Sequence, residues 1–264
     1  MKQLNPHTFA KFNTIGFYTL YYKEVKRFTS IITQTIIGPI ITGLLFLFIF
    51  KLSVGHTNIA VGHLSFTQFL IPGLIMMNVL QNAFANTSSS LVAGKMMGSI
   101  VDLTMPPLSP LEIVSAMSLA GITRGIVIGV TTGLAMWVFS DISIYNVFYA
   151  IAFMVMGSAM MAIIGVLAGL WSNKWESIAS VTTYVITPLS FLSGTFYSID
   201  RLPQIFQKLA YFNPFFYVID GFRYGMTGYS DGNPITGLII LSILISILGF
   251  TAHFLLAKGW NLKS

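Results

Sequence analysis

The sequence predicts an all-α integral membrane protein: six transmembrane helices, an N-terminal amphipathic interfacial helix, and short outer re-entrant helices before the last span. Three observations lead there. The 264 residues are 55% hydrophobic and only 8% charged, whereas soluble domains carry about 25% charged residues. A chain so poor in charge cannot cover a globular surface, so its solvent is lipid. Apolar runs of about 20 residues, long enough to cross a hydrocarbon core, recur along it. The net charge of +6 comes from bases that flank those runs, as topology control requires, and this placement argues against a nucleic-acid partner.

In chain order, Phe9, Phe12, Phe17, Leu20, Tyr21, Val25 and Phe28 recur at roughly helical spacing, with Thr19, Lys23, Lys26 and Arg27 on another face. This fits an amphipathic helix lying on a membrane surface; a short soluble helix is the plainer alternative. The apolar runs predict spans at about 30–50, 68–93, 111–139, 147–171, 177–195 and 235–257. The third is longer than a bilayer needs, so it tilts or projects into water. Residues 196–234, with Pro203, Pro214 and Pro234, are too broken for a span and too apolar for an ordinary loop. There Asp200 can cap one short helix with Pro203 in its first turn, and Asn213 a second with Pro214 at its first position. The chain is one domain, 1–264: interfacial helix in 1–29, spans one to five in 30–195, outer re-entrant segment in 196–234, sixth span and tail in 235–264.

Counting bases orients it. If the N-terminus is inside, Lys2, Lys11, Lys23, Lys26, Arg27, Lys95, Lys174, Lys258 and Lys263 share that side, against Lys51, Arg201, Lys208 and Arg223 outside. The bias predicts a multi-pass protein of the plasma (inner) membrane with both termini cytoplasmic. Polar residues precede the first long apolar run, so no cleavable signal is expected. With no cysteine there is no disulfide, thiolate metal site or cysteine nucleophile.

Four features could carry function. Gly121, Gly125, Gly129 and Gly133 recur every fourth residue of the third span, and Gly165 and Gly169 repeat this on the fourth. Smooth faces let helices approach closely in lipid. Packing within the subunit is the favoured use, dimerisation the alternative. Asn78, Gln81, Asn82 and Asn86 make one face of the second span polar, with Ser88, Ser89 and Ser90 nearby. Amides do not face lipid at low cost, so this face points inward. It either bonds neighbouring helices or walls a translocation path, and an amide- and hydroxyl-lined path suits amphiphiles or sugars better than bare ions. Arg124 is the costliest intramembrane residue; near the cytoplasmic third of its span, its long stem could reach the interface. Asp220 and Arg223, three apart, can pair if their stretch is helical, as a structural ion pair or, less simply, as a gate.

The run Pro188, Phe191-Leu192-Ser193-Gly194-Thr195, Leu202-Pro203, Asn213-Pro214 and Asp220-Gly221-Phe222-Arg223 resembles the C-terminal signature of ABC-2 permeases. Lys23-Glu24-Val25-Lys26-Arg27-Phe28 resembles the basic end of that family's interfacial helix. Pro106-Pro107-Leu108-Ser109-Pro110-Leu111-Glu112-Ile113 resembles its proline-leucine-serine segment after the coupling helix. The ordered set covers nearly the whole chain. The resemblance implies a transmembrane permease subunit of an ATP-binding-cassette exporter, paired with a second permease copy as a homodimer and with two ATPase subunits. It implies a coupling helix at about 94–105, with Lys95, Met96, Met97, Ile100 and Asp102 as the ATPase-facing residues. It implies a substrate path between the permease copies, walled by their first, second and fifth spans. Family members export polysaccharides, lipid-linked glycans, drugs or other amphiphiles.

No glycine-rich run ends in lysine followed by serine or threonine; Gly94-Lys95 is followed by Met96, so a phosphate-cradling loop is absent. The chain is therefore expected to be no enzyme and to bind no cofactor, with ATP-Mg held by the partner. Two other classes compete. Ser158 and His253 suggest an intramembrane serine protease, but glycine lies immediately before Ser158 and Ala159 follows it, unlike the rhomboid pattern. A secondary transporter or channel independent of ATP would place ionisable groups or inverted repeats in the membrane; these spans are nearly free of carboxylates and show no repeat.

Overall fold

A computed structural model describes residues 12–54, 60–61, 64–140 and 144–261. Phe9 of the expected interfacial stripe, and Lys2, Lys11 and Lys263 of the base count, lie outside the described residues. The order is α1 (Thr14–Thr29), α2 (Gly38–Val54), a two-residue antiparallel pair β1 (Ala60–Val61) and β2 (Leu64–Ser65), α3 (Phe66–Met96), α4 (Val101–Thr104), α5 (Pro110–Trp137), α6 (Val147–Trp171), α7 (Trp175–Val181), α8 (Thr187–Phe191), α9 (Gln204–Phe212), α10 (Pro214–Thr227) and α11 (Pro234–Ala257). The protein is an all-α membrane protein.

Among the described residues five stretches are long and apolar enough to cross a bilayer: Thr33–Ser53, which includes most of α2, then α3, α5, α6 and α11. The expected span at 177–195 takes another form. It is helical over residues 175–191 in three pieces, α7, a π-turn at Thr182–Ile186, and α8, which leaves it short of the usual 20 or so residues. The first span opens the same way, with a π-turn at Thr33–Ile37 ahead of α2. Proline explains both. Pro39 and Pro188 each lack an N–H and would press a ring on the carbonyl four residues back, at Thr35 and Tyr184. Widening the preceding turn to π spacing relieves that clash.

Three further prolines start helices. Pro110, Pro214 and Pro234 occupy first positions, where a missing N–H costs nothing, behind the caps Ser109, Asn213 and Asn233. Asn213 caps α10 as its spacing predicted. The other expected cap differs. Asp200 lies in a single 3-10 turn, Ile199–Arg201, and α9 begins only after Pro203.

Most of α3 is buried, between α5, α6 and α10. The glycine stripes explain how. A Cβ at Gly121 would come within 2.6 Å of the Ala162 methyl, and one at Gly129 within 2.9 Å of Val79. Gly165 lies against the Phe84 carbonyl and Thr87, so closely that no Cβ fits. These faces pack α5 and α6 onto α3 within the subunit, the favoured expectation.

The amphipathic α1 packs along α5. Asn13 caps it, accepting from the Gly16 amide at 2.9 Å, while its own amide donates to Glu112 of α5. Tyr21 and Thr123 share a hydroxyl bond at 3.0 Å. The buried face of α1 is Leu20, Glu24 and Phe28. The carboxylate in that stripe is the one member apolar periodicity could not supply.

Candidate functional site

Two polar clusters lie toward opposite ends of the α3–α5–α6 core, called outer and inner after the expected topology; the first is built around a buried arginine and the second around two half-buried ones.

The outer cluster gathers six of the seven predicted signature residues. Arg223 on α10 is fully buried. Its Nη2 donates to the Gly194 carbonyl at 2.6 Å, its Nε to the Phe69 carbonyl at 3.3 Å, and its Nη1 stands 3.5 Å from Asp220 Oδ1. The guanidinium also stacks 3.8 Å above the Phe69 ring, a cation–π contact. Asp220 accepts the Asp231 and Gly232 amides at 2.8 and 2.9 Å. Asn213 donates to the Leu189 carbonyl at 2.7 Å while capping α10, whose first residue is Pro214. Ser193 bonds Thr195 at 3.0 Å. Gly194 turns the chain at φ +74°, where a Cβ is strained. Together these hold the turn after α8, the start of α10 and the Pro72 region of α3 in one place. Pro203 stands apart, at the start of α9. Asp231 joins the cluster unforeseen, accepting from Ser198 and Tyr229 at 2.7 and 2.8 Å.

The inner cluster runs along the polar face of α3. Asn78 Nδ2 donates to the Pro39 carbonyl at 3.2 Å, tying α3 to the first span. Asn82 Nδ2 donates back to the Asn78 carbonyl at 3.0 Å, and its Oδ1 accepts from Arg124 Nη2 of α5 at 2.9 Å. Asn86 is buried and accepts from Arg27 of α1 through its carbonyl and, at 3.3 Å, its Oδ1. Arg27 also donates to Ser89 at 3.1 Å and pairs with Glu24 at 3.1 Å; Ser90 donates to Glu24 at 2.7 Å. Gln81, Asn82, Ala85, Ser89 and Ser90 are half-exposed along one side of a mostly buried helix. The Glu24–Arg27 pair was missed; its i, i+3 spacing on an expected helix was the available signal.

At the same end, residues 94–105 form an elbow around α4. Gly98 turns at φ +71°, and the Ile100 amide returns to the Gly94 carbonyl at 2.9 Å. Lys95 is buried rather than presented: its ammonium donates to the Leu170 carbonyl, to Ser172 O at 3.0 Å and to Asn173 Oδ1 at 3.3 Å. It thereby satisfies end carbonyls of α6, where a cation is favoured. Ile100 is buried as well, whereas Asp102 is exposed. Met96, Met97, Val101 and Met105 are 53%, 80%, 46% and 81% exposed. The surface of the elbow is therefore apolar and rich in methionine, which suits an adaptable protein contact.

Ser158 of the discarded protease alternative is buried against Gly125, and His253 lies on α11.

Three comparisons bear on these clusters. The family described as ABC-2 type transporter matches residues 16–227, from α1 to the end of α10. The inner membrane transport permease YadH of Escherichia coli (strain K12) is 32% identical over 246 residues, 93% of this chain and 96% of that protein. Nodulation protein J of Rhizobium leguminosarum bv. viciae is 27% identical over 226 residues, 81% and 83% of the two chains.

Proposed function

The chain belongs to the ABC-2 type transporter family, and from that premise we propose that it is the permease of an exporter powered by a separate ATPase. It is a membrane subunit of a transporter, not an enzyme. The E. coli relative is named an inner membrane permease, and we place this chain, multi-pass, in the same membrane with both termini cytoplasmic. Two copies pair with two ATPase subunits that hold ATP-Mg.

The observation that carries the proposal is the elbow. Four exposed apolar residues in one short segment at a polar end of a protein otherwise built for lipid call for a protein partner. Lys95 joins the base of the elbow to the end of α6, and α6 packs along the length of α3. A push on the elbow therefore moves α3 and α6 as one body. The outer cluster carries that motion to the turn after α8. ATP binding by the partner shifts the subunit between inward- and outward-open states through such contacts. The polar face of α3, with Asn78, Gln81, Asn82 and Asn86, forms part of the path for an amphiphilic, glycan or drug-like substrate.

Co-purification and reconstitution test this. The solubilised chain should bring down an ABC ATPase, and vesicles holding both should move substrate only with ATP. Transport that ignores ATP and follows an ion gradient would favour a secondary transporter instead.

A further inference from the structure

We propose that Arg124 and Arg27 form a binding site for the anionic head of an amphiphile, beside α1 where it packs against α3 and α5. The proposal rests on the path assignment above and narrows the substrate to one bearing a phosphate-like or carboxylate group.

Arg124 lies midway along α5, a single helix of 28 residues. Among the described residues no carboxylate lies within ion-pair distance of it; the two ion pairs are Arg27–Glu24 and Arg223–Asp220. Its Nη2 meets the neutral Asn82, and its Nε is buried without a partner. An unneutralised guanidinium at such a place is costly and marks a functional site unless something answers it. Asn82 and Asn86, which accept from Arg124 and Arg27, are one helical turn apart on α3.

The unmet groups here share a sign. Arg124 Nε and the fully buried Asn86 Nδ2 are both donors. Ser89, Gln81 and Asn82 stand half-exposed beside them, and Lys23 and Lys26 of α1 outnumber Glu24 nearby. Missing acceptors within excess positive charge ask for an anion, and a guanidinium fork suits phosphate or carboxylate. The Tyr21–Thr123 bond puts Arg124 one residue from the contact with α1. A head group entering beside the interfacial helix would reach it with its chain still in lipid.

The test is a titration of the full-length chain in neutral detergent, without ATPase, so its outcome is independent of the exporter proposal. Probes are dihexanoyl phosphatidic acid, dihexanoyl phosphatidylcholine and inorganic pyrophosphate, read by intrinsic fluorescence and by shift in melting temperature. Phosphatidic acid should bind at least about tenfold tighter than phosphatidylcholine. Arg124→Gln should lose about tenfold, the scale of one charge-assisted hydrogen bond, and Arg124→Lys should recover part of it. Competition by pyrophosphate would identify the bare anion as the recognised group; its failure to compete would show that the lipid-borne head is needed. Equal binding of both lipids, or undiminished binding by a folded Arg124→Gln, overturns the site, as it would if a carboxylate of the second copy already neutralised Arg124. Should Arg124→Gln not fold, the two lipids compared on the wild-type chain decide alone.

Discussion

Arg223 and Arg124 are both arginines in the membrane domain, yet they live in opposite conditions. Arg223 meets two carbonyls, a carboxylate and an aromatic face, and its carboxylate partner is itself held by two amides. Arg124 meets one amide oxygen and no carboxylate among the described residues. The first arrangement neutralises its charge and holds the outer turns together, its Nη1 meeting Asp220 at 3.5 Å without a hydrogen bond. The second is incomplete and waits for a ligand. The same residue type thus stands paired on α10 and without a carboxylate midway along α5.

Substitutions can break this comparison in order of expected effect. Arg223→Ala strands the Asp220 carboxylate in the interior, so a loss of about 3–5 kcal/mol should appear as a collapsed melting transition or aggregation on size exclusion. Lys95→Met removes the cap on the end of α6. About 1–3 kcal/mol should be lost, and ATP hydrolysis should uncouple from transport in reconstituted vesicles. Asn213→Ala removes the α10 cap, costing about 1 kcal/mol by thermal unfolding, with the oligomeric state unchanged. Arg124→Gln removes a charge that no carboxylate pairs, giving up one hydrogen bond to Asn82, and should melt within about 1 kcal/mol of wild type while export falls sharply. An Arg124→Gln protein as crippled in stability as Arg223→Ala would erase the distinction.

Much of this was legible beforehand because the signals are local. The glycine stripes on α5 and α6, the Asn213-Pro214 helix start and the amide face of α3 each need only one element's periodicity or capping rule. What escaped involved two elements at once. Lys95 reads as a surface charge until the end of α6 arrives to occupy it. Glu24 has no place in the apolar stripe of α1 until Ser90 and Arg27 supply its partners. The shortened fifth span was hidden differently: hydropathy over 177–195 counts apolar residues but not the turn after Phe191, where the chain leaves the helix and Gly194 takes a positive φ.

The power source is the central claim, and the chain's lack of cysteine makes it directly testable. A single cysteine at Met97, the exposed tip of the elbow, should react with a membrane-impermeant maleimide in inverted vesicles but not in intact cells. Addition of the partner ATPase should shield it. Labelling from outside intact cells, or full reactivity with the ATPase bound, would contradict the account.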